Sequence, residues 1–263
     1  MPPRPDLSTL RDGVALLHWR TDWSRGDLRE TASRVAALVA RGLEEHGRVE
    51  AWIDPDDEVA LRVATWAGLR REGVMRGGNV IEGTHRDLVV HARLATDLPL
   101  SAPGGFRALL NSFLPRKRAI GQMLVRDRAG RVLMCELTYK PDWDLPGGVI
   151  EVGESPAMGV TREIEEELAV HIPAHRLLLT DWLPAWSGWD DALCLVFDGG
   201  VHDASLLDRM VREEREIRAV RFCTLEEIRA HSADFTARRV EAALASLEGG
   251  PLFTESGRPL PDS

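Results

Sequence analysis

Cysteine is scarce in this 263-residue chain: Cys135, Cys194 and Cys223 stand far apart. They supply neither a disulfide framework nor a C-x-x-C metal pair. No stretch approaches about 18 uninterrupted apolar residues, so no membrane-spanning helix is expected. The opening MPPRPDLSTLRDG has no apolar centre of the kind a secretory signal needs. Neither an internal repeat nor a low-complexity run is present. These absences point to a soluble, reduced, cytoplasmic protein without a membrane partner.

Basic residues are also in deficit, with 33 Lys+Arg against 42 Asp+Glu. Residues 1–112 carry 15 basic and 16 acidic side chains, and residues 113–263 carry 18 and 26, so nearly all the net charge of −9 sits in the second half. Such a field repels a phosphate backbone and argues against general nucleic-acid binding. A phosphate ligand stays compatible if divalent cations first neutralise the acidic cluster. With 44% hydrophobic residues the chain can build buried cores, and its length suits two domains at roughly 150 residues each.

Apolar spacing predicts strands at 14–19, 49–53 and 88–94 and helices at 28–43 and 59–69 in the first half. Ser101-Ala-Pro-Gly-Gly105 is the strongest break in the chain. It marks a linker over 99–115 between a first domain, 1–98, and a second, 116–235. In the second half, 119–125 and 132–137 read as a hairpin around Asp127-Arg-Ala-Gly130. Residues 155–168 read as a helix with Ser155 at its N-cap and Pro156 at its first position. Strands at 192–197 and 218–222, a helix at 224–230 and a final helix near 235–247 follow. Residues 236–263 are expected as a C-terminal helix and tail, the tail being an arm or disordered.

The informative segment joins Gly147-Gly-Val-Ile-Glu-Val-Gly-Glu154 to Arg162-Glu-Ile-Glu-Glu-Glu167. At about 100° per helical residue, Glu163, Glu166 and Glu167 share one face. Met158, Ile164 and Leu168 are expected to pack on the other. Like charges on one face repel unless something offsets them. A hard cation such as Mg2+ or Mn2+ prefers such oxygen donors and would hold a di- or triphosphate and activate a water. The paired glycines let the backbone approach closely and expose a carbonyl.

This array resembles the Nudix box: Gly148, Glu154, Arg162, Glu163, Ile164, Glu166 and Glu167 stand at that box's spacing over 23 residues. The departure is Ala169, where the box has a helix-ending glycine. The resemblance covers about residues 116–231, and it implies a Nudix α/β/α sandwich in an α/β (α+β) chain. It also implies metal ligation by Glu163, Glu166, Glu167 and the carbonyl of Gly148. Arg162 would orient the carboxylates with Glu154 as its partner. The implied activity is hydrolysis of a nucleoside diphosphate linked to another group, by water attack on phosphorus. Glu163 is one candidate for the general base and Glu216, outside the box, another. Trp143, Trp182, Trp186 and Trp189 flank the box, and one of them could stack on a base. A non-catalytic Nudix-fold nucleotide-binding or regulatory protein is the alternative.

In the first half, the run from Asp57 to Gly73, with Ala60, Ala64, Gly68, Leu69 and Glu72, resembles the C-terminal part of a GNAT acetyltransferase. Arg25-Gly26 would occupy the place of the family's pyrophosphate loop. The departures are Asp57 for asparagine, Leu69 for phenylalanine, Ala60 where some relatives have serine and Ala64 where many have a general-acid tyrosine. Asp27 would repel a pyrophosphate. The expectation is therefore a degenerate, partial GNAT-like domain used for packing, homodimerisation or partner binding.

Overall fold

The computed structural model describes residues 5–19 and 28–261. It divides at Pro115/Arg116 into two compact units. The expected pyrophosphate loop, Arg25-Gly26 with Asp27, lies outside the described residues.

The first unit is a five-stranded sheet. Its strands are β1 (Asp6–Arg11), β2 (Val14–His18), β3 (Arg48–Ile53), β4 (Arg70–Ile81) and β5 (Thr84–Leu94), ordered β1-β2-β3-β5-β4. Helix α1 (Leu28–Glu45) links β2 to β3, which pair in parallel. Helix α2 (Glu58–Trp66) follows β3, and the Asp57 side chain caps it by accepting from Ala60 N. Val35 and Val39 of α1 and Val63 and Ala64 of α2 close over Ala15, Val49 and Ala51 of the sheet. Much of residues 99–115 is not a linker: Pro103–Phe113 forms helix α3. Pro103 begins that helix, where a missing N–H costs nothing, and Phe106, Leu109, Leu110 and Phe113 give it a helical apolar spacing.

The second unit has two helical layers around one sheet. Its strands are β6 (Arg118–Asp127), β7 (Val132–Leu137), β8 (Gly147–Val149), β9 (Leu177–Leu183), β10 (Ala192–His202), β11 (Ile217–Cys223), β12 (Phe253–Glu255) and β13 (Arg258–Pro259). They run β11-β7-β6-β10-β9-β12-β13, with β8 beside β6. Helix α4 (Pro156–Leu168) covers one face, burying Val160, Ile164 and Leu168 against Met123, Val125 and Leu133. Helices α5 (Leu225–His231) and α6 (Asp234–Ser246) cover the other, with Ile228, Val240 and Ala243 on Leu124, Met134 and Val196. Burial at i, i+4 and i+8 leaves Met158 off the apolar stripe, so it is exposed rather than packed as expected. The tail is no free arm, because β12 pairs in parallel with β9.

Candidate active site

Three elements build the site. Ser155 starts α4 by accepting from Met158 N at 3.3 Å, and Pro156 supplies a first-turn residue with no N–H to satisfy. β8 lies against β6 with Gly148 opposite Gly121. The chain after the 310 turn at Ala204–Arg209 closes the far end of α4: Val211 N donates to Leu168 O at 3.0 Å and Glu213 N to Glu167 O at 2.8 Å. This loop brings Glu216 to the helix.

Both glycines of β8 are dictated by contact. Gly147 has φ +131°, and a Cβ there would stand 2.2 Å from Gly121 O. A Cβ on Gly148 would stand 2.5 Å from a Glu163 carboxylate oxygen. The backbone thus approaches α4 as closely as a glycine allows. Gly147 N also donates to Glu167 Oε2 at 3.2 Å.

Arg162 gathers the remaining carboxylates. Its Nε and Nη2 donate to the two oxygens of Glu154 at 2.9 and 3.1 Å. Its Nη1 stands 2.8 Å from Glu166 and 3.0 Å from Glu163. The Arg162 guanidinium holds the Glu154 carboxyl below the usual carboxylate range. Burial does the opposite elsewhere. It pushes Glu163 up against the pull of Arg162. It pushes Glu167, which is 7% exposed, up to about 8, with the charges of Glu163, Glu216 and Asp144 adding to the shift.

The predicted residues therefore separate into two groups. Glu163 and Glu167 are drawn to the Gly147–Gly148 backbone, while Glu166 is 61% exposed at its side chain and turned to Arg162. Among the described residues, no three His, Cys, Asp or Glu side chains converge tightly enough to enclose a cation. Arg162 is the counter-charge instead. The donor set suits a hard divalent cation: oxygen-only side chains, two of them raised by burial and mutual repulsion, beside a backbone that only glycine permits.

Two of the four flanking tryptophans are engaged elsewhere. Trp143 stacks on His231 with ring centroids 4.4 Å apart, and Trp182 Nε1 donates to Asp191 at 3.2 Å. Trp186 and Trp189 are exposed on the β9–β10 turn, and the Arg118 guanidinium lies 4.9 Å from the Trp189 ring centre. Arg118 pairs with Ala192, three residues along β6 from Gly121, the partner of Gly148. The exposed indoles thus belong to the same end of the sheet as the glycines.

The family model for the NUDIX domain matches residues 115–244. These residues are a Nudix domain. Over 93 residues the chain is 33% identical to an RNA pyrophosphohydrolase of Rhodospirillum rubrum, covering 35% of this chain and 48% of that protein. Over 59 residues it is 36% identical to a MutT-like protein of Streptomyces ambofaciens, covering 22% and 38%. The chain thus spans about half or less of the length of these curated relatives. Among solved structures, a MutT protein from Methanosarcina mazei Go1 overlays 52% of this chain and 99% of its own, with a TM-score of 0.44 and 21% identity. A UDP-X diphosphatase overlays 88% and 100%, with a TM-score of 0.46 and 18% identity. The Nudix domain's order, with one helix layer on each side of a mixed sheet, places its box on α4 and β8.

Neither Asp181 nor Arg239 is marked by a motif, and both are buried behind the site. Arg239 Nε donates to Asp181 at 2.7 Å and Nη1 to Gln122 at 3.0 Å. Gln122 in turn donates to Asp144 at 2.8 Å.

Proposed function

We propose that the Nudix domain hydrolyses a nucleoside diphosphate linked to another moiety, by attack of water on a phosphoanhydride phosphorus. The observation that carries this reading is the packing of the Glu163 and Glu167 carboxylates on Gly147–Gly148 with Arg162 bridging Glu154, Glu163 and Glu166. Mg2+ or Mn2+ would be held by Glu163, Glu166, Glu167 and the Gly148 carbonyl. Such an ion supplies Lewis acidity at a phosphoryl oxygen and lowers the pKa of a water.

The chain's own groups do the rest. Arg162, anchored by Glu154, fixes the direction of two carboxylates. Glu163, raised by burial, accepts a proton more readily than a surface carboxylate, which suits a general base. Glu216, whose charge bears on both Glu163 and Glu167, is the second candidate. Trp186 or Trp189, open at the same sheet end, would stack on the base.

The first unit is read as a partial GNAT-like domain without acetyl transfer. Ala60 and Ala64, at the positions where relatives carry hydroxyls, are buried in its core and offer no acid. Absence of acetyl-CoA binding in calorimetry is the expected result.

Formation of nucleoside monophosphate from a panel of nucleoside diphosphate derivatives, with Mg2+ or Mn2+, tests the hydrolytic reading. Turnover that falls roughly a hundredfold or more in Glu166→Gln is expected. No turnover across the panel, or equal turnover in Glu166→Gln, would reject it. Tight nucleotide binding without hydrolysis would favour the non-catalytic alternative.

A further inference from the structure

The first unit contains a groove with a volume of about 580 Å³, within the usual range of small-molecule sites. Three helices wall it: Ala36 from α1, Trp66 from α2, and Phe106, Leu109 and Phe113 from α3. Trp66 and Phe106 are 51% and 52% exposed. Apolar surface gathered in a concavity marks a binding site more often than scattered exposed residues do.

Its polar chemistry is sparse and one-sided. The Ser33 hydroxyl donates to Arg29 O at 2.9 Å and the Thr65 hydroxyl to Leu61 O at 3.0 Å, so both protons are spent within their own helices. Arg29, also on the lining, is exposed, and its guanidinium has no ion-pair partner among the described residues. A single cation on an otherwise apolar wall complements a ligand with one negative end. A nucleotide does not suit it, because a polyphosphate asks for several donors and a base for hydrogen-bonding partners that the wall lacks.

We propose that this groove binds a small amphiphile, an aliphatic or aromatic body carrying one carboxylate. The apolar body lies against Trp66, Phe106 and Leu109, and the carboxylate meets the Arg29 guanidinium, which can donate in bidentate fashion. The site belongs to the first unit alone and does not depend on the hydrolytic reading of the Nudix domain.

Calorimetry on the full chain with decanoate and decanol, which share chain length and differ in charge, tests the proposal. Saturable binding of decanoate at one per chain is expected. Arg29→Gln should weaken decanoate about tenfold, as loss of a charge-assisted contact does, and leave decanol unchanged. Ala36→Trp, which fills the groove, should abolish both, with circular dichroism and the melting temperature showing that the variant folds. Absence of saturable decanoate binding, equal affinity in Arg29→Gln, or binding that survives Ala36→Trp would overturn it. So would self-association that Ala36→Trp abolishes and decanoate does not compete with, since the groove would then be an interface between copies. Hydrolysis of the nucleoside diphosphate derivatives by Arg29→Gln should match the unmodified chain, and amphiphile binding can be read whether or not any of them is turned over.

Discussion

Glu154 holds Arg162 with both carboxylate oxygens, at 2.9 and 3.1 Å, and through Arg162 it is coupled to Glu163 and Glu166. A bidentate pair fixes the guanidinium plane as well as its position. Replacing Glu154 by Gln keeps the shape but removes the charge and one acceptor. Arg162 then loses the anchor that fixes the angle at which it meets Glu163 and Glu166. The expected outcome is a fall of about 10- to 100-fold in divalent-cation affinity or turnover, as for other residues that orient ligands from behind. Titrating Mn2+ against turnover checks it. Restoration by excess Mn2+ would show a positioning role, and unchanged cation dependence would exclude one.

Asp181 and Arg239 form an ion pair that is buried at both ends, 2.7 Å apart. Asp181 also accepts from Thr254 Oγ1 and Gly257 N, both at 2.7 Å, so one carboxylate ties α6 and the C-terminal strands to β9. Removing one partner leaves a buried charge uncompensated, which costs about 3–5 kcal/mol. Asp181→Ala is expected to lose that much in urea unfolding. Adding Arg239→Met should recover part of the loss, because the two residues share one interaction. Additive losses would show that the pair is not coupled.

The same residues show what could be read from the chain and what could not. Helix α4 was legible because its signals are local: Ser155-Pro156 starts it, Ile164 and Leu168 mark its buried face, and the box spacing marks the opposite one. Asp181 offers no such signal. It is one acid in an apolar strand, and its partners lie 58 and 73 residues away. The Gly- and Pro-rich tail reads as an arm because the acceptor that orders it belongs to β9. Strand β4, with Gly73, Gly77 and Gly78 among its residues, lacks alternation and takes its form from pairing with β5. Pro103-Gly-Gly105 reads as a break, yet the proline starts a helix, and Gly105 packs where a Cβ would stand 2.2 Å from Pro99 O.

Ala169 ends α4 in the left-handed region, with φ 52° and ψ 30°, at the position where the box has glycine. The methyl group makes that backbone unfavourable by about 1 kcal/mol. Ala169→Gly is therefore expected to stabilise the Nudix domain by about that amount, less the entropy that glycine adds to the unfolded chain. Thermal unfolding of the two proteins checks it. A lower melting temperature for Ala169→Gly would show that the strain is relieved elsewhere. Since Glu167 lies two residues before this cap, turnover should be measured in parallel.

His91 is 2% exposed on β5, and its Nδ1 has no hydrogen-bond partner among the described residues. Burial pushes its pKa down to about 4, with the Val89 backbone pulling the other way and the nearby charge of Arg71 adding to the fall. The unfolded chain protonates this ring near the ordinary histidine value of about 6.5, so between those limits the unfolded state binds the extra proton. Stability from neutral His91 is therefore fully present above about pH 6.5 and is lost as the pH falls toward 4. Each pH unit inside the window should remove up to about 1.4 kcal/mol. His91→Leu removes the titration. The difference in urea midpoint between the unmodified chain and His91→Leu should thus move in favour of the variant as the pH drops from 7 to 5. A difference that stays constant over that range would mean that the ring is protonated in the folded protein as readily as in the unfolded one.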